Sequence, residues 1–265
     1  MSIPTDDIIT DIRYTKNSQG VYSYNEKNTS LSFFGYDSPK MFSQNRKKNL
    51  STYGSNDITY KFNSGGHRCN SLTSKTSKYI LYTGCSNTFG TGLPLNETYS
   101  FLTSKHFNID YYNLALRASG NDLIFYNLSL FLKTTPILPS LIIIQPTFLE
   151  RFYIEYENYL KVIGWWNFDS LTPDSSKNYV NYISDPIFKY NNFNNLKKTT
   201  LNFLKTLNIP TILISSDWYE GEKVKLNNKD LARDANHPGK ESNRDLSQQL
   251  INLITDTPKY LNSIK

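Results

Sequence analysis

From residue 79 onward, apolar runs of strand length alternate with segments of helical period. Tyr79–Thr83 (YILYT), 110–115, 140–145 (SLIIIQ) and Thr211–Ser215 (TILIS) are short, rich in β-branched or aromatic residues, and read as strands. Between and after them, 96–107, 121–133, 186–207 and 240–255 read as helices; 121–133 has apolar spacings of three and four, and 240–255 is amphipathic. Pro139 and Pro146 bound the SLIIIQ run, and Pro210 ends the helix before it. Such alternation predicts an α/β fold with a mostly parallel sheet. Strands that are apolar throughout imply that both sheet faces are covered. Ligands of such sheets sit beyond the carboxyl ends of the strands, so the loops that matter begin near 84, 116, 145 and 216.

The chain has 265 residues, enough for one large domain or two small ones, and enough to bury a core without staples. Residues 1–78 are polar and rich in turn formers; only 32–42 and 58–68 look like short strands and turns. We expect them to form an extension packed on a main domain of residues 79–265. Residues 152–185 are rich in Tyr, Trp and Asn, including Trp165 and Trp166. An insertion here would overhang the strand edge, where aromatics beside amides suit sugar rings. Ordinary packing of a helical excursion accounts for the same composition.

Composition narrows the function classes. Cys69 and Cys85 are too few for a disulfide framework and read as reduced thiols. The first 30 residues begin acidic and lack an apolar segment, against a secretory signal. The longest apolar runs fall far short of the ~18–20 residues of a membrane span. These features point to a cytoplasmic protein, with virion association as the alternative. The net charge is +6, but the lysines are scattered. Arg46-Lys47-Lys48 and Lys197-Lys198 are too short to outline a phosphate-tracking stripe, so no nucleic-acid partner is expected. No metal or organic cofactor is expected either. Only His67, His106 and His237 can supply an imidazole; His67 reads as structural, and His106 as a helix-end residue.

The loop after the first long strand is Gly84-Cys85-Ser86-Asn87-Thr88-Phe89-Gly90-Thr91-Gly92-Leu93. It is not a P-loop, a dinucleotide fingerprint or a G-x-S-x-G elbow. A tight strand-to-helix turn with a capping serine is the plain reading. The last loop, Asp234-Ala235-Asn236-His237-Pro238-Gly239, precedes the final helix. An acid three residues before a histidine can bind one ring nitrogen and leave the other free to take a proton from a serine. Both loops fall on the expected ligand edge of the sheet.

GCSNTFGTGL resembles the first block of the SGNH (GDSL-type) hydrolases, G-D-S-x-T-x-G-x-G: Gly84, Ser86, Thr88, Gly90 and Gly92 fit, and Cys85 replaces the aspartate. DANHPG resembles the family's last block, D-x-x-H-P. The cysteine variant of the first block and a T-x-x-x-R segment are similar to SGNH-like proteins encoded by phages. The resemblance spans about 79–256. It implies a three-layer α/β/α sandwich in which Ser86 is the nucleophile, His237 the base and Asp234 its orienting acid. Its oxyanion hole would use the backbone of Ser86 and of the second block. The family's glycine there aligns with Ala118, while this chain has Gly120 two residues on. In the third block, Thr147 falls in the asparagine position and Gln145 in the glycine position. The implied activity is hydrolysis of an ester, with an O-acetyl ester on a carbohydrate as the substrate class. An inactive glycan-binding module and an O-acyltransferase are the alternatives.

Overall fold

The computed structural model describes residues 12–50, 53–73, 76–164, 185–216 and 221–265. The elements β1 (Ile12–Lys16), β2 (Tyr22–Ser23), β3 (Ser30–Leu31), α1 (Pro39–Lys47) and β4 (Tyr60–Lys61) precede the first long apolar strand, β5 (Tyr79–Thr83). Then come α2 (Ser86–Phe89), α3 (Tyr99–His106), β6 (Asp110–Asn113), α4 (Asn121–Thr134) and β7 (Leu141–Ile144). The hairpin β8 (Phe152–Glu155) and β9 (Leu160–Ile163) follows. The chain closes with α5 (Pro186–Thr206), β10 (Thr211–Ser215), β11 (Glu222–Lys225), α6 (Lys240–Asp256) and α7 (Pro258–Ile264).

Side chains alternate across a strand, so a strand between two helical layers must be apolar on both sides. The central sheet, ordered β11-β10-β7-β5-β6, is parallel throughout, and its three inner strands obey this. Tyr79, Leu81, Ile142, Ile144 and Leu213 face one core with Ile124, Leu128 and Phe131 of α4 and Phe193 and Leu204 of α5. Ile80, Tyr82, Leu141, Ile143, Ile212 and Ile214 face the other, against Tyr99 of α3, Leu246, Leu250 and Ile254 of α6, and Tyr260 of α7. The i, i+4, i+8 spacing in α6 puts one apolar stripe on the sheet. Full burial of each such side chain is worth about 1.5–3 kcal/mol, so the two cores hold the three layers together. The fold is an α/β/α sandwich.

A third core lies outside the sandwich. A second, antiparallel sheet runs β2-β1-β9-β8, with Tyr14 opposite Leu160. Tyr14, Tyr22, Tyr24, Phe34, Ile58, Tyr60 and Phe62 pack there with Leu160, Val162, Phe89, Leu93, Leu116 and Ala232. The last four come from the loops and short elements beyond the sheet's carboxyl ends, so this core braces them.

Three expectations are corrected. Residues 32–42 are not all strand and turn, because Pro39–Lys47 is a helix. Ser38 Oγ accepts from Met41 N–H at 3.2 Å, and Pro39 takes the first helical position, where a missing N–H costs nothing. Residues 152–163 are a β-hairpin rather than a helical excursion, since β9 finds a partner in β1. The rest of the expected insertion, with Trp165 and Trp166, lies outside the described residues up to 184. The second strand ends at Asn113 rather than 115, because Asn113 Oδ1 turns back to accept from Ala115 N–H. Among the described residues, no helix is long and apolar enough to cross a membrane.

Candidate active site

Ser86 opens α2 directly after β5. It is not a capping serine: Cys85 holds the cap position, and no side chain caps this turn. Ser86 carbonyl accepts from Gly90 and Thr91 N–H at 3.0 and 3.1 Å, curling the loop tightly behind the hydroxyl. Arg68, buried to 1% exposure, reaches into that curl. It donates to the carbonyls of Phe89 (3.1 Å), Gly90 (2.5 Å) and Leu93 (2.5 Å), and its guanidinium lies 4.3 Å from the Tyr60 ring centroid. These carbonyls have no helical partner, and Arg68 satisfies them. Burial lowers the Arg68 pKa.

The last loop supplies a histidine already held by a carboxylate. Asp234 Oδ2 lies 2.5 Å from His237 Nδ1. Asp234 Oδ1 accepts from the N–H groups of Asn236 (3.2 Å) and His237 (3.1 Å). The carboxylate is fully buried while the imidazole keeps 14% of its surface. With Nδ1–H donating inward, Nε2 is left as the proton acceptor. The two loops are bonded together: Arg233 N–H donates to Gly92 carbonyl at 3.0 Å. A Cβ on Gly92 (φ 75°) would fall 2.8 Å from Ala232 Cβ and 3.1 Å from Asp234 Oδ1, so only glycine permits this approach.

Arg233 is locked from behind. Its Nη2 and Nε lie 2.7 and 2.9 Å from the Asp37 carboxylate, both side chains fully buried. Its Nη1 donates to Ser55 carbonyl at 2.9 Å. Tyr60 Oη donates to Asp37 Oδ2 at 2.5 Å and accepts from Gly92 N–H at 2.8 Å. Burial and the Asp37 charge push the Tyr60 phenol upward, so it stays a donor. Tyr36 stands edge-on to His237, ring centroids 6.5 Å apart. Its pKa is raised by burial first and by the Asp234 charge second.

The second and third loops meet the first at Gly84 and Thr88. Gly84 carbonyl accepts from Leu116 N–H (3.3 Å) and Ser119 Oγ (3.2 Å). Between them Ala118 has φ 58°, a left-handed conformation unusual for alanine. Gly120 caps α4 with ordinary extended dihedrals. Thr88 Oγ1 donates to Gln145 Oε1 at 2.7 Å and accepts from Tyr99 Oη at 3.0 Å; Asn113 Nδ2 donates to Thr88 carbonyl at 2.8 Å. This fixes the Gln145 carboxamide by its oxygen, and among the described residues its Nε2 has no hydrogen-bond partner. Thr147 is engaged differently. Its N–H and carbonyl are clasped by the Asn121 side chain, both at 2.8 Å, and its hydroxyl accepts from Arg151 Nη1 at 3.3 Å.

Ser86 and His237 are not hydrogen-bonded to each other; the serine hydroxyl points at Cys85 Sγ, 4.0 Å away. His67 is fully buried, edge-on to Tyr112, and burial pushes its pKa down to about 3. Among the described residues, no group of three or more His, Cys, Asp or Glu is arranged to hold a metal ion. Sequence reasoning missed Asp37, Tyr60, Arg68 and Arg233. The side-chain partners that matter here lie 21 to 201 residues away, so no local spacing could have announced them.

No family model and no curated protein matches the chain. Among solved structures, it is similar to a member of the lipolytic protein G-D-S-L family from Veillonella parvula: 12% identity, 68% of this chain and 100% of that one, TM-score 0.34. It is also similar to an acetyl xylan esterase from Butyrivibrio proteoclasticus: 12% identity, 74% and 67% covered, TM-score 0.35. A carbohydrate esterase family 2 enzyme from Corynascus thermopiles (Myceliophthora fergusii) has 13% identity, 70% and 68% covered, and TM-score 0.41.

Proposed function

We propose that the protein is a serine esterase of the SGNH type. Ser86 attacks the ester carbonyl, and His237 Nε2 takes its proton while Asp234 holds Nδ1. The developing oxyanion is met by the backbone N–H groups of Ser86 and Ala118 and by Gln145 Nε2. His237 then protonates the leaving alcohol, and water, deprotonated by the same imidazole, releases the acyl group. The observation that carries this reading is the buried Asp234–His237 pair, hydrogen-bonded through Arg233 N–H to the loop that bears Ser86. The left-handed φ of Ala118 supports it over Gly120 in the second block, since the family's pattern has glycine at that place. The free Nε2 supports Gln145 over Thr147 as the side-chain donor. An acylated carbohydrate is the substrate class we favour, on the aromatic and amide-rich composition of 152–185.

The geometry of Ser86 favours one rival. Its hydroxyl turns toward Cys85 Sγ rather than His237, as an inactive glycan-binding module would tolerate. A working enzyme tolerates it too, because catalytic hydrogen bonds often tighten only with substrate bound. Turnover of 4-nitrophenyl acetate decides. Ser86→Ala and His237→Ala should each lower it about a thousandfold or more without changing the circular dichroism spectrum. The double variant should be little worse than either, because the residues act as a unit. Wild-type turnover that survives Ser86→Ala would refute the nucleophile.

A further inference from the structure

The chain before β5 brings one aromatic residue to the Asp234–His237 pair. Phe34 N–H donates to Asp37 carbonyl at 2.9 Å and closes a tight turn over Gly35 and Tyr36. Gly35 has φ 66°, the positive value that the first central position of such a turn takes. Both flanks of the turn are buried. Phe34 packs among the rings of Tyr24, Tyr60, Phe62 and Phe89. Asp37 is ion-paired to Arg233, the neighbour in sequence of Asp234. The contact that fixes the histidine loop therefore fixes Tyr36 as well. Tyr36 is only partly buried, and its ring stands edge-on to His237 with centroids 6.5 Å apart. Its hydroxyl is open to solvent and has no hydrogen-bond partner among the described residues. The hydroxyls of Tyr14, Tyr53 and Tyr60, from the same stretch of chain, each have an oxygen: Arg117 carbonyl, the Glu97 carboxylate and the Asp37 carboxylate.

The chemistry of the neighbouring imidazole says what such a hydroxyl would meet. Asp234 is fully buried at the Nδ1 end of the ring, so the part of His237 still open to solvent is the end that carries Nε2. In the proposed reaction Nε2 hands its proton to the leaving alcohol, so the space beside it receives the alcohol part of the ester rather than the acyl part. A phenol hydroxyl both donates and accepts, which suits another hydroxyl. A site built to hydrogen-bond a substrate hydroxyl disfavours the analogue that lacks it. We propose that Tyr36 is a specificity-determining residue that hydrogen-bonds a hydroxyl on the alcohol portion of the ester, selecting polyhydroxy alcohols over hydrocarbon ones of similar shape.

This inference rests on the esterase reading, and its test keeps the two apart. Two matched pairs share the acetyl group and differ in the alcohol: glycerol 1-acetate against propyl acetate, and methyl 6-O-acetyl-glucopyranoside against cyclohexylmethyl acetate. Each is compared by kcat/KM in the wild type and in Tyr36→Phe, which keeps the ring and removes the hydroxyl. The wild type should prefer the polyol member of at least one pair. Tyr36→Phe should cut that preference about fivefold, the worth of one hydrogen bond, chiefly through KM. Equal rates for both members of both pairs, or a preference that Tyr36→Phe leaves intact, would overturn the proposal. So would a parallel loss on both members of a pair, because Tyr36 would then act through His237 rather than on the alcohol. If the wild type hydrolyses no ester, the esterase reading fails, and an NMR titration of the wild type with glycerol and methyl glucopyranoside decides on Tyr36. Binding weakened by Tyr36→Phe upholds the contact; no binding, or binding that persists unchanged, overturns it.

Discussion

His67 is a histidine that must stay neutral. Neither ring nitrogen has a hydrogen-bond partner, and burial lowers its pKa from 6.5 to about 3. The unfolded chain binds this proton more readily, so His67 leaves stability intact above pH 6.5 and erodes it from there down to about 3. Asp122 acts in the opposite sense. Burial raises its pKa from 3.8 to about 6, so its contribution is full below 3.8 and lost as pH rises through 6. The two nearly cancel between pH 3.8 and 6, and a single variant exposes each. In urea unfolding, His67→Phe should gain on the wild type by about 1.4 kcal/mol for each pH unit below 6.5. A constant offset from the larger ring is immaterial, because the slope is the readout. Parallel stability curves would show that this histidine is not the neutral buried group described here.

At the scale of elements, the end of β7 bears on how the proposed oxyanion hole would be built. Thr88, itself held by Tyr99, holds the oxygen of the Gln145 carboxamide, while Asn121 and Arg151 occupy Thr147. A preorganised donor to the oxyanion is worth about 3 kcal/mol in the transition state. Gln145→Ala should therefore lower kcat about a hundredfold with little change in KM, and Thr147→Val should have a small effect. The reverse pattern in steady-state kinetics would move the donor to Thr147. β5, β7 and β10 were legible because a buried parallel strand is apolar at every position. α4 and α6 were legible from their apolar spacing, and the Asp234–His237 contact from a separation of only three residues. The short polar strands β1, β2 and β8 were not, because their pattern becomes meaningful only once β1 meets β9, almost 150 residues later. α1 was missed although Ser38-Pro39 is a good start signal, because the segment after it has no apolar stripe.

Across the whole molecule, a buried ion pair joins the Arg68 and Tyr60 hydrogen bonds in wiring the segment before β5 into the site. Asp37 and Arg233 are 196 residues apart, and Asp37 also receives Tyr60. Removing one partner strands a buried charge, at a cost of about 3–5 kcal/mol. Such a loss is a large part of a typical stability of about 5–15 kcal/mol. Asp37→Ala should lower the unfolding free energy by that amount in guanidinium titrations, and Asp37→Asn by less; a change under about 1 kcal/mol would mean the pair does not couple the two regions. Arg233 is flanked by Ala232 and Asp234, so the same pair fixes where the last loop stands relative to the first. In the proposed function this arrangement makes Ser86 a nucleophile. Labelling by a fluorophosphonate, with the modified peptide identified by mass spectrometry, tests that most directly. We predict stoichiometric modification of Ser86 in the wild type, strongly slowed by His237→Ala in a folded protein. A folded wild type that stays unlabelled at Ser86 under prolonged exposure would contradict the claim.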